Sequence, residues 1–147
     1  MKVSYWLRKV EKLPIQVKWL DSEKRIIGYA FADPVSLEDI YEALQNGYDI
    51  SADLPYRIYI VYDFRNFRSL PPNIFSTLSY LRTISQDNVE LRLLVGPSMM
   101  LASLLRILSG VIPQLKDSLK VVETLDEAML CIRDHMDAAA TSDYQQY

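Results

Sequence analysis

The sequence predicts a single α/β domain: an N-terminal β-hairpin and three parallel strands in one mixed sheet, with about four helices. Three observations lead there. Residues 57–62 (Arg-Ile-Tyr-Ile-Val-Tyr) are apolar and β-branched almost without interruption, the pattern of a strand covered on both faces. From residue 50 onward, strand patterns and helix patterns alternate, and right-handed crossovers make such strands parallel. Ahead of them, two strand-like runs flank a short polar turn, which requires an antiparallel pair.

The chain's 147 residues suffice for one ordinary domain with a real core, and 50% hydrophobic with 24% charged residues is a globular rather than a disordered composition. A formal charge of −3 argues against nucleic-acid binding, which needs a concentrated basic face. One cysteine, Cys131, excludes an internal disulfide framework. No apolar run approaches the ~20 residues of a membrane span, and the first residues lack a signal-peptide pattern. A cytoplasmic protein is expected.

Residues 1–14 read as an N-terminal extension in which Val3, Trp6, Leu7 and Val10 recur at helical spacing and Pro14 breaks the pattern. Its basic residues allow docking on a membrane surface or a partner, and covering the domain's own core fits equally well. Residues 16–20 and 25–32 form the hairpin around Asp21-Ser-Glu-Lys24. Ser36 and Asp39 make a capping box, with Val35 and Ile40 placed as a staple, and start a helix carrying Leu37, Ile40, Tyr41, Leu44 and Tyr48 on one side.

The central strand is expected to end at Asp63, followed by a loop and by Pro71-Pro72 at the start of a second helix. That helix would carry Ile74, Phe75, Leu78, Leu81 and Ile84 on its apolar side. Residues 89–95 are a further strand, and Gly96-Pro97-Ser98 opens a third helix running to about Gly110. Residues 119–122 are a short last strand. Thr124-Leu-Asp-Glu127 is a second capping box, heading a helix with Ala128, Met129, Ile132 and Met136. The domain proper is expected over residues 15–136, and the small, polar residues 137–147 as a disordered tail.

Sheet strands of this kind tend to meet ligands and partners at their carboxyl ends. The loop there holds Asp63, Arg65, Asn66, Arg68 and Ser69, a candidate surface for a partner or an anion. Against that stands a structural reading, in which Asp63 pairs with Arg65 or Arg68 only to hold a turn. Gly96-Pro97-Ser98 lacks the spacing of a phosphate-binding loop and reads as a tight turn.

The third helix has apolar residues over an arc of about 160°, wider than a helix lying on a sheet requires. A neighbouring helix, a partner subunit or an apolar ligand would account for the excess, and Met99, Met100 and Leu104 are candidate contact residues. Cys131 and His135 stand four apart on the last helix, but no third orienting group is recognisable, so a catalytic nucleophile is not expected. Nothing has metal-ligand spacing, and no cofactor is implied.

The order of elements resembles the STAS superfamily, and within it the stand-alone bacterial domains similar to sporulation anti-sigma-factor antagonists. The stretches that carry the resemblance are residues 17–26 (Val-Lys-Trp-Leu-Asp-Ser-Glu-Lys-Arg-Ile), residues 63–72 (Asp-Phe-Arg-Asn-Phe-Arg-Ser-Leu-Pro-Pro), residues 94–98 (Leu-Val-Gly-Pro-Ser) and the closing Thr-Leu-Asp-Glu-Ala helix. The resemblance implies a non-enzymatic, regulatory protein-interaction module, in many members switched by a serine inside an Asp-Ser-Ser-Gly-like turn. Here the matching stretch is Phe67-Arg-Ser-Leu-Pro-Pro-Asn73, without that motif, so no phosphoswitch is carried over to Ser69. A protein partner or self-association is expected. The alternative is a carrier or sensor of a small apolar, lipid-like ligand, its pocket lined by some of the ten tyrosines and the third helix.

Overall fold

A computed structural model describes residues 13–74 and 86–145 of the chain. The sheet has five strands in sequential order: β1 (Ile15–Trp19), β2 (Ile26–Ala32), β3 (Ile58–Asn66), β4 (Val89–Val95) and β5 (Leu119–Val122). The pair β1–β2 is antiparallel and the other three pairs are parallel, so the mixed α/β sheet is as expected. Three helices of more than one turn are described: α1 (Leu37–Ser51), α2 (Met99–Val111) and, after the short α3 (Pro113–Lys116), α4 (Leu125–Gln145). The helices expected over 3–13 and from Pro72 fall mostly on residues 1–12 and 75–85, outside the described residues, as does the membrane-contact reading of the N-terminus. Pro72 itself lies in a turn with Asn73 at φ +61°, not in a first helical turn.

Local chemistry sets each boundary. The carboxylate of Asp21 accepts the amides of Arg25 (3.0 Å) and Ile26 (2.9 Å), closing the hairpin turn. Ser36 and Asp39 cap α1 reciprocally, as their spacing predicts. At α4, Thr124 Oγ1 accepts the Glu127 amide at 3.1 Å, whereas the Glu127 carboxylate reaches the amide of Glu123 instead of Thr124. The tail reading is corrected: α4 continues to Gln145, through Ala138-Ala-Ala140, because alanine is the best helix former.

Strand alternation builds two apolar layers. On one face Ile27, Tyr29, Phe31, Ile58, Ile60, Phe64 and Leu94 pack with Ile40, Ala43 and Leu44 of α1 and Leu101 of α2. On the other, Tyr59, Val61, Leu91, Leu93 and Val95 pack with Ala128 and Ile132 of α4. The central strands are therefore covered on both sides, the reason their sequence shows little polar alternation.

Polar ties hold the amino ends of these strands. Asn88 Nδ2 donates to the carbonyl of Ser51 at 3.0 Å, Gln86 Nε2 donates to Ser51 Oγ at 3.0 Å, and Ser51 Oγ donates to the carbonyl of Gly47. The turn before β4 is thus bonded to the end of α1.

Candidate functional site

The carboxyl ends of β2, β3 and β4 converge, and their sequence-predicted residues lie there. β3 runs past its expected end at Asp63, so Arg65 and Asn66 belong to the strand, and Asn66 is in register with Ala32 of β2. The carbonyl of Asn66 accepts the amide of Asp33 at 3.1 Å. Extra ladder contact with β2 is what prolongs the strand.

Asp63 accepts three bonds from Arg65: the amide at 3.1 Å, Nε at 2.9 Å and Nη2 at 2.8 Å. These bonds from the guanidinium hold the Asp63 carboxyl below its ordinary range, and the same pairing raises the pKa of Arg65. The turn-holding role expected of Asp63 falls to its pair with Arg65, not Arg68. The stem of Arg65 crosses Gly96, where a Cβ would lie 2.7 Å from Arg65 Cγ. Gly96 has φ +59°, and its amide donates to the carbonyl of Val122 at 2.9 Å, so the strand-to-helix turn is a packing element.

A second carboxylate, not singled out by the sequence, orders the loop beyond. Asp33 accepts the amides of Arg68 at 2.7 Å and Ser69 at 3.3 Å. Its signal was available: an aspartate ending a strand before proline is placed to accept loop amides. The side chains of Arg68 and Ser69 remain exposed above this anchored backbone, and that of Arg68 makes no hydrogen bond among the described residues. Phe67, just before them in the chain, turns inward against Phe31 and Phe64 and pins the loop to the core.

Met99 and Met100 open α2 at this same end of the sheet and are 90% and 71% exposed. Leu104 does not join them. It is buried, as are Leu101 and Leu108, so its place as a contact residue is withdrawn. The tyrosines proposed to line a pocket are partly occupied with one another: Tyr29 stacks on Tyr62 with ring centroids 5.1 Å apart. Burial pushes both phenols up, while Arg92 bonds Tyr62 and draws its pKa down. Arg92 is itself buried and donates to Ser118 Oγ at 2.9 Å, tying β4 to the start of β5.

Along the β5 edge of the sheet, a shallow groove between β5 and α4 is lined by Lys120, Glu127, Leu130, Cys131, Asp134 and His135. His135 turns its nitrogens elsewhere: Nδ1 lies 3.1 Å from Tyr59 Oη and Nε2 lies 3.6 Å from Glu90, which also pairs with Arg57. This links α4 to two strands and leaves the imidazole outside any bond to Cys131. Among the described residues, no group of three or more His, Cys, Asp or Glu side chains is placed to hold a metal. None of the described helices is long and apolar enough to cross a membrane. No family model matches the chain, and no curated protein does.

Proposed function

We propose that this chain is a STAS-like, non-enzymatic protein-interaction module that works in the cytoplasm, with its contact surface at the carboxyl ends of the strands. One observation carries the reading. Asp63 accepts three hydrogen bonds from Arg65 and Asp33 accepts the amides of Arg68 and Ser69, which fixes the segment from Asp63 to Ser69 yet leaves the Arg68 and Ser69 side chains facing outward. A rigid backbone presenting free polar side chains lowers the ordering cost of binding a protein. The order of elements, hairpin first and then alternating helices and strands, supports the same reading.

The test is capture from the source cell with a photo-crosslinking residue in place of Ser69. One crosslinked protein, lost when Arg68→Glu is added, is the expected result. Crosslinks that are absent, or that ignore Arg68→Glu, would overturn the reading. Native mass spectrometry of gently purified protein runs alongside, and a monomer carrying a small extra mass would favour the apolar-ligand carrier.

A further inference from the structure

We infer that the outer face of α2 is a self-association surface whose occupant is α2 of a second copy, laid antiparallel across a two-fold axis. This goes beyond the interaction surface at the strand ends and does not depend on it.

The face is defined by what the core leaves out. Leu101, Leu104 and Leu108 bury one side of α2, while Met100, Ser103, Ile107 and Gly110 are all exposed. Their spacing of three, four and three residues is the seam of a helix pair, sequence positions that stay on one line along a helix. Ile107 is 64% exposed and Val111, beside the seam, is 52% exposed. The single charge of the helix, Arg106, lies on its flank.

Size alternates along the seam in a way that suits its own reversed copy. With the axis level with residue 105, Met100 of one copy lies against Gly110 of the other, and Ser103 lies against Ile107. Each large side chain meets a small one. Gly110 supplies the required space, since a Cβ built there meets nothing within 4 Å. A two-fold pair is isologous, so one self-complementary stripe is sufficient. Met100, Ile107 and Val111, with Met99 at the edge of the stripe, expose roughly 500 Å² per copy, so their complete burial in a pair would remove at most about 1,000 Å², the lower bound for a specific interface.

Sedimentation velocity of the full chain over ~1–200 μM is the first measurement, with a concentration-dependent monomer–dimer equilibrium expected. Gly110→Met fills the space left for Met100 and is expected to weaken association at least ~10-fold, although it replaces glycine with a better helix former. Adding Met100→Ala to Gly110→Met exchanges large for small and restores the dimer. Thermal melts of each variant separate loss of pairing from loss of fold. A monomer at every concentration would overturn the proposal. So would a dimer indifferent to Gly110→Met.

Discussion

Arg65 closes on Asp63 from two residues away, its Nε and Nη2 each meeting a different carboxylate oxygen at 2.9 and 2.8 Å. Such forked pairs fix orientation as well as charge. Because the stem of Arg65 also lies over Gly96, the pair sets the spacing between the ends of β3 and β4.

Removing the acid should therefore loosen that end. Asp63→Ala is expected to cost about 0.5–1 kcal/mol, a modest figure because the pair is partly exposed and solvent screens it. The folded-state pKa of Asp63 is lowered, so its contribution is complete above the unfolded value near ~3.9 and is lost as pH falls through the folded value. Denaturant titrations across acid pH, wild type against Asp63→Ala, should converge at the lowest pH. Curves that stay parallel would show that the pair adds nothing.

Gly47 faces the hydroxyl of Tyr29 so closely that a methyl group there would overlap the phenolic oxygen. Gly47→Ala is expected to destabilise by about 1–3 kcal/mol despite alanine's better helix propensity. Combining it with Tyr29→Phe should recover part of the loss. Chemical unfolding of the two variants measures both effects.

Tyr59 Oη and His135 Nδ1, 3.1 Å apart, bind α4 to the sheet. Tyr59→Phe keeps the ring packing and removes the hydroxyl, for an expected loss of about 1 kcal/mol. Hydrogen exchange should accelerate in α4 near His135 more than in α1. Equal changes in both helices would assign the bond no local role.

Arg68 offers the complementary case. Its backbone amide is held by Asp33 while its side chain is exposed, so Arg68→Ala should leave stability within about 0.5 kcal/mol of wild type. Any loss of partner capture is then attributable to the surface. A large drop in melting temperature would instead place the guanidinium in the fold.

Where the signal was local, the sequence was sufficient. Ser36 and Asp39 cap α1 as their spacing requires, and the polar turn at Asp21 makes the hairpin. Features set by distant partners were hidden. Arg92 sits inside an apolar strand whose pattern gives no sign that Ser118 will receive it. Leu104 was grouped with the methionines because an arc of apolar positions cannot tell its buried members from its exposed ones. At the site, Arg65 and Arg68 were equal candidates for Asp63 by spacing, and only the strand continuation to Asn66 separates them.

The sequential strand order bears on how the protein is made. Every strand's neighbour in the sheet is also its neighbour in the chain, so a nascent polypeptide can add strands one at a time as they leave the ribosome. The second face is the exception. Tyr59, Val61, Leu91, Leu93 and Val95 receive Ala128 and Ile132 only from α4, after all five strands have been synthesised. Among the described residues no earlier helix packs on that face, so until α4 emerges it is open, the interval in which ribosome-bound chaperones have most to protect.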